Sequence, residues 1–224
     1  MLIIGIDDAG RGPIIGPMIL AGVLIKEESE KLFKQEGVAD SKVVAHPERI
    51  RLSGIIRDIS LGYKVVMAFP DQIDHSINSG INLNTLEAIK AAEIINFLSQ
   101  GIKDKIKVIV DCPSPNTSAW KLTLSGFIKI PEMLDIICEH KADVNYPSVS
   151  AASILAKVAR EEEVDKLKEK FGKTGSGYLS DPVTLEFLKA NALLLKDSGI
   201  FRKTWAPWQE NLAAKEQKKL GEFS

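Results

Sequence analysis

Apolar and polar positions along the chain repeat with two periods. Residues 2–7, and residues 18–25 ("MILAGVLI"), are nearly unbroken apolar runs rich in Ile, Leu and Val, and each predicts a strand. Between them "AGRGPIIGP" (9–17) interleaves glycine and proline and predicts a loop. "YKVVMAF" (63–69), "IKVIVD" (106–111) and "MLDIICEH" (133–140) predict three more strands. Helical spacing predicts helices over 26–35, from about Pro47, over 84–101, over 146–172 and over 180–195. The 84–101 segment starts on Asn/Thr and stops on glycine. The last helix has Ser180 or Asp181 as N-cap, with Pro182 just inside. Strands early, then strands alternating with helices, argue for a mixed sheet covered by helices.

The polar interruptions of this pattern carry the chemistry. Asp7 and Asp8 end the first apolar run, Asp111 ends the fourth, and Asp143 follows the fifth. A lone aspartate after a strand is ordinarily a turn former or a helix N-cap. Two adjacent ones are harder to explain that way. Neighbouring side chains of a strand point to opposite faces, so both need partners. If the first and fourth strands are parallel neighbours, Asp7 and Asp111 meet at their C-terminal ends, where open α/β sheets carry function. Carboxylates without His-rich or CxxC spacing suit a hard cation, Mg2+ or Mn2+. Such ions beside a phosphate serve phosphodiester chemistry.

Composition narrows the picture modestly. With 224 residues, 45% of them hydrophobic and 26% charged, the chain suits one large domain, or one plus a small extension. A net charge of −1 requires any basic nucleic-acid surface to be local. Cys112 and Cys138 make no CxxC motif and read as reduced thiols. The start "MLIIGIDDAG" lacks a basic segment, and no apolar stretch is long enough for a membrane span. A cytoplasmic protein is therefore expected, and a monomer, since no heptad or exposed apolar helix stands out. Gly10, Gly12 and Gly16 miss the G-x-G-x-x-G spacing, and a strand rather than a helix follows them, which argues against a dinucleotide loop. What remains is a loop that backbone and ligand can share closely, with Arg11 either meeting a phosphate or solvated.

Four blocks together resemble ribonuclease HII, the type 2 ribonuclease H, and most closely its archaeal branch. They are "GIDDAGRGPIIGPM" (5–18), "DSK" (40–42), "EHKADVNYPSVSAASILAKVAR" (139–160) and "GSGYLSDP" (175–182). The resemblance implies an α/β fold: a ribonuclease H-like mixed five-stranded sheet flanked by helices, with a small C-terminal helical extension. The expected division is a catalytic domain over 1–196 and an extension over 197–224. The resemblance further implies an endonuclease that cuts the RNA strand of RNA/DNA hybrids. It also implies incision 5′ of ribonucleotides embedded in duplex DNA, leaving a 3′-hydroxyl and a 5′-phosphate. The family's four metal-binding acids fall on Asp7, Asp8, Asp111 and Asp143. Its loop that reads the 2′-hydroxyl falls on Gly10, Arg11 and Gly12, its junction tyrosine on Tyr178, and phosphate contacts on Ser41 and Lys42.

The chain departs from the family in two places. Asp8 stands where the family pattern has glutamate, which is one methylene longer. This leaves a natural variant with a compensating shift, a weakened enzyme or an introduced substitution. "FRKTWAPWQEN" (201–211) also differs from the family's usual W-K-T ending. The competing functions are a nuclease of the same fold acting on DNA and a hybrid-binding module with weakened catalysis. Finally, Gln217, Leu220 and Phe223 in "QKKLGEFS" (217–224) resemble the short motif that docks on the DNA sliding clamp, an expected partner.

Overall fold

The computed structural model describes residues 1–38 and 44–210. Five strands form one sheet in the order β3-β2-β1-β4-β5: β1 Leu2–Ala9, β2 Met18–Lys26, β3 Gly62–Ala68, β4 Ile106–Asp111 and β5 Leu134–Glu139. β1 pairs antiparallel with β2, and parallel with β4, which pairs parallel with β5. The sheet is therefore mixed, as the element order predicts. Central strands covered on both faces need no polar alternation, which explains the continuous apolar runs of β1 and β2.

Among the described residues eight α-helices accompany the sheet: α1 Ser29–Gln35, α2 His46–Ile59, α3 Pro70–Asn78, α4 Leu83–Leu98, α5 Thr117–Ser125, α6 Ala142–Asn145, α7 Pro147–Phe171 and α8 Pro182–Asn191. The strands and longer helices lie where periodicity predicts, with shifted ends. β1 runs two residues beyond Asp7, α1 starts only at Ser29 because β2 continues to Lys26, and α8 stops at Asn191. Asp181 is the N-cap of α8, accepting from Val183 N–H at 2.9 Å. The helices α3 and α5 and the short α6 are absent from the sequence reading.

Two glycines fix how helices meet the sheet. A Cβ on Gly5 would collide with the backbone of Ser148 and come within 2.6 Å of Val149 N, so the first turn of α7 lies directly on β1. A Cβ on Gly22 would strike the Ile94 side chain, so the apolar side chains of α4 pack directly onto β2 there. Ile3, Ala9, Ile19, Val23, Ile109, Val149, Ala152 and Leu155 share one buried cluster between sheet and α7.

The chain separates into two compact units. One comprises Met1–Ala9, Ile19–Met67 and Leu83–Arg160; the other comprises Gly10–Met18, Ala68–Asn82 and the described residues from Glu161 onward. The expected division at 196/197 is a different partition, since residues 161–196 group with the C-terminal stretch. The second unit has its own core, in which Ile14, Ile15, Phe187, Leu188, Ile200, Phe201 and Trp208 are buried together. Phe201 stacks at 4.7 Å on Trp208. Among the described residues no helix is long and apolar enough to cross a membrane.

Candidate active site

The register of β1 and β4 places the acids. Gly5 pairs with Ile109 and Ile6 with Val110, so Asp7 and Asp111 come next on neighbouring parallel strands. Alternation puts both on the face that Gly5 and Ile109 present to α7. There Asp7 is 6% exposed. Burial raises its carboxyl well above the usual carboxylate range, the negative charge of Asp8 adds to the rise, and Asp111 adds further. A hydrogen bond with Ser153 of α7 opposes these, as does the Asp8 N–H, which donates to Asp7 Oδ1 at 2.7 Å. Asp8 turns to the opposite face. It lines a cavity with Asp7, Asp111, Leu20, Trp120 and Glu87, a buried carboxylate of α4. Trp120 Nε1–H donates to Asn84 O at 3.0 Å, tying α5 to the start of α4.

The fourth acid arrives by a tight turn. Cys112 N–H continues the ladder by donating to Glu139 O at 2.8 Å. Beyond β5 the chain reverses at Lys141, whose φ of 59° is left-handed, a conformation that costs a non-glycine residue roughly 1–2 kcal/mol. The reversal aims Ala142 N–H at Asp111 Oδ1, 3.0 Å away, and α6 starts there. Asp143 follows at 2% exposure but does not line the cavity of the other three. Among the described residues no three His, Cys, Asp or Glu side chains are gathered tightly enough to cage an ion. The donor set nevertheless fits a hard divalent cation. Mg2+ is held by one or two carboxylates with water and substrate phosphate completing its shell, rather than by an all-protein cage. Cys112 and Cys138 are not joined in a disulfide; burial, with Cys112 nearby, pushes the Cys138 thiol pKa up to about 12.

Within the second unit, Gly10, Arg11 and Gly12 form a loop beside Tyr178. Gly10 has φ 79°, which only glycine adopts easily. A Cβ on Gly12 would stand 3.8 Å from Tyr178 Cε1. Ile14 N–H donates to Gly177 O at 2.9 Å, so the loop is clipped to the turn that carries the tyrosine. That turn is itself held: Ser176 N–H donates to Asp181 Oδ2 at 2.7 Å and Gly177 N–H to Thr184 Oγ1 at 2.9 Å. The first of these bonds holds the Asp181 carboxyl below its ordinary value. Tyr178 keeps 38% of its surface open. The sequence reading missed Ser153, Glu87 and Arg202; Glu87 was legible only as one polar position in a buried stripe. Ser41, Lys42, Gln217, Leu220 and Phe223 lie outside the described residues.

The ribonuclease HII family model matches residues 4–207. The Pyrococcus furiosus ribonuclease HII is 40% identical over 210 residues, which is 92% of this chain and 88% of that one. Among solved structures, the ribonuclease H2 from Pyrococcus horikoshii superposes with a TM-score of 0.84 at 37% identity, covering 94% of this chain and 97% of the other. The ribonuclease HII of Archaeoglobus fulgidus, solved in complex with PCNA, gives 0.80 at 36% identity, covering 92% and 95%. With the matching sheet and the acids at its parallel strand ends, this likeness over nearly the whole length establishes that the chain belongs to the ribonuclease HII family and is a nuclease hydrolysing RNA in RNA/DNA hybrids.

Proposed function

We propose that this ribonuclease H also incises duplex DNA on the 5′ side of an embedded ribonucleotide, leaving a 3′-hydroxyl and a 5′-phosphate. Water supplies the oxygen that bonds to phosphorus. The bond from phosphorus to the upstream 3′-oxygen breaks, and that oxygen departs as the hydroxyl after gaining a proton. The carrying observation is the gathering of like charge at Asp7. Its carboxyl is pushed up by burial, Asp8 and Asp111 together, which is the environment that a cation relieves. Asp7, Asp8, Asp111 and Asp143 are assigned to hold Mg2+ or Mn2+, which when bound would supply activation of the attacking water and charge stabilisation for the leaving oxygen. Asp7 is held by Ser153, and Asp111 by Ala142 N–H, so both carboxylates keep their direction before metal and substrate arrive.

Gly10, Arg11, Gly12 and Tyr178 are assigned to the ribonucleotide. A 2′-hydroxyl is what distinguishes RNA from DNA at one position, and a backbone approachable through glycines, beside an aromatic ring, suits that reading. Ser41 and Lys42 are assigned to substrate phosphates. Gln217, Leu220 and Phe223 are assigned to a sliding clamp, a reading supported by the complex solved for the Archaeoglobus fulgidus relative. The test is a 5′-labelled DNA duplex carrying one ribonucleotide, assayed with each metal beside an all-DNA control. One product ending 5′ of the ribonucleotide is expected. Binding of the substrate without cleavage in either metal would favour instead a hybrid-binding module weakened at Asp8.

A further inference from the structure

Arg202 is the largest side chain that is wholly buried among the described residues, at 0% exposure. A guanidinium does not lose its charge in a protein, so burying it demands hydrogen-bond acceptors. Those it meets belong to one loop. Nη2 donates to Gly10 O at 2.6 Å and Gly16 O at 3.0 Å, Nη1 to Arg11 O at 2.6 Å, and Nε to Gly16 O at 3.1 Å. Its own N–H donates to Ile14 O at 2.9 Å, and its Cζ lies 5.0 Å from the Trp205 ring centroid. One side chain thus pulls the carbonyls of Gly10, Arg11 and Gly16 inward.

The planarity of the peptide unit gives this a consequence. In a trans peptide the C=O and the N–H point in opposite directions. Drawing the Gly10 carbonyl onto Arg202 turns Arg11 N–H away from it, and drawing the Arg11 carbonyl turns Gly12 N–H away. The same opposition is visible one step further on. Ile14 O faces Arg202, and Ile15 N–H of that same peptide turns to Gly177 O at 3.4 Å, next to Tyr178. We propose that Arg202 is a positioning residue for ribonucleotide recognition, fixing the Arg11 and Gly12 N–H groups outward as donors for a sugar hydroxyl. The inference rests on the assignment of the Gly10–Gly12 loop to the ribonucleotide, and adds the group that sets the loop's donor directions. A lysine cannot replace it, because one ammonium lacks the rigid fork that holds three carbonyls in fixed geometry.

The experiment compares wild type, Arg202→Lys, Arg202→Met and Gly12→Ala. Dissociation constants are measured in chelator for a duplex with one ribonucleotide and for the all-DNA duplex of the same sequence. Both Arg202 variants are expected to reduce the preference for the ribonucleotide by ~10- to 100-fold, the effect of misdirecting two donors. All-DNA affinity stays within about twofold, because phosphate contacts set it. The Mg2+-induced rise in Tm, read at the acid cluster, remains. A folded Arg202→Met protein that has lost thermal stability but kept the preference would overturn the inference. If Gly12→Ala loses the preference and Arg202→Met keeps it, the loop assignment stands and the role of Arg202 falls. If Gly12→Ala keeps it, the loop assignment itself fails. Should neither Arg202 variant fold, Arg202 Nε–H exchange in the wild-type protein decides. Strong protection with and without the ribonucleotide duplex, alongside shifted Arg11 and Gly12 amide resonances with that duplex alone, is expected. Exchange as fast as that of a surface arginine overturns the inference.

Discussion

At Asp7 burial opposes charge, and the sign of that opposition leads to a pH prediction. Its folded-state pKa is raised by burial first, then by Asp8 and Asp111. The folded, metal-free protein therefore binds more protons there than the unfolded chain does, once pH exceeds the unfolded value near ~3.9. Stability attributable to Asp7 is present below that value and is lost as pH rises toward the folded pKa. Asp7→Asn removes this loss. In chelator the variant is expected to melt higher than wild type at neutral pH, with the gap closing as pH falls to ~4. Its cleavage should drop by at least ~100-fold, in line with removing a preorganised electrostatic group. Thermal melts across pH, with and without Mg2+, check both halves; a neutral-pH Tm below wild type would contradict the burial argument. Asp8 makes a separate case. It reaches the cavity one methylene short of the family pattern, so Asp8→Glu is expected to raise the rate of hybrid cleavage in Mg2+. A slower Asp8→Glu enzyme would mean that the cavity, with Glu87 beside it, has adapted to the shorter side chain.

At the scale of elements, Gly5 and Lys141 govern where the acids point. Gly5→Ala sets a methyl group against the backbone of Ser148, which cannot rotate aside. A loss of ~1–3 kcal/mol in stability is expected, as for other overpacked cores, together with weaker metal binding because α7 carries Ser153 away from Asp7. Denaturant melts and Mg2+ titration measure the two effects. Lys141→Gly removes a left-handed penalty and should preserve cleavage, with stability changed by no more than about 1 kcal/mol because the unfolded chain also gains freedom. Lys141→Val should lose both stability and activity. How far the elements were legible follows from the same physics. Strands with apolar runs and α4, with its buried stripe, announce themselves through periodicity. The helix α3 buries only Pro70, Ile73 and Asp74, and its polar composition hides it. The helix α5 is rich in Thr and Ser, and its one clear signal is the N-cap Asn116, which accepts from Ala119 N–H. Asp7, Asp8 and Asp111 were legible because charge interrupts apolar runs. Arg202 was not, since a single arginine in a polar-looking stretch gives no hint that its partners lie some 190 residues earlier.

Across the whole molecule, one unit holds the acids and the other the glycine loop, Tyr178 and Arg202. Length and composition alone suggested one large domain, or one domain plus a small extension. They miss this partition because residues 10–18 and 68–82 join the C-terminal stretch only through tertiary contacts. The tail gives an independent prediction: deleting residues 217–224 should abolish binding to a sliding clamp in a pull-down and leave clamp-free cleavage within about twofold, because none of the acids assigned to the metal lies in it. The central claim, that clustered carboxylates and a divalent cation cut nucleic acid at a ribonucleotide, meets its most direct test in a single assay. A duplex with one ribonucleotide, and its all-DNA counterpart, are incubated with the wild-type protein and with Asp111→Asn across a titration of Mg2+ or Mn2+. The account predicts one cut 5′ of the ribonucleotide that grows with metal, none in the all-DNA duplex, and none with Asp111→Asn. Cutting that persists in chelator, that falls equally on the all-DNA duplex, or that survives at wild-type rate in Asp111→Asn would contradict it.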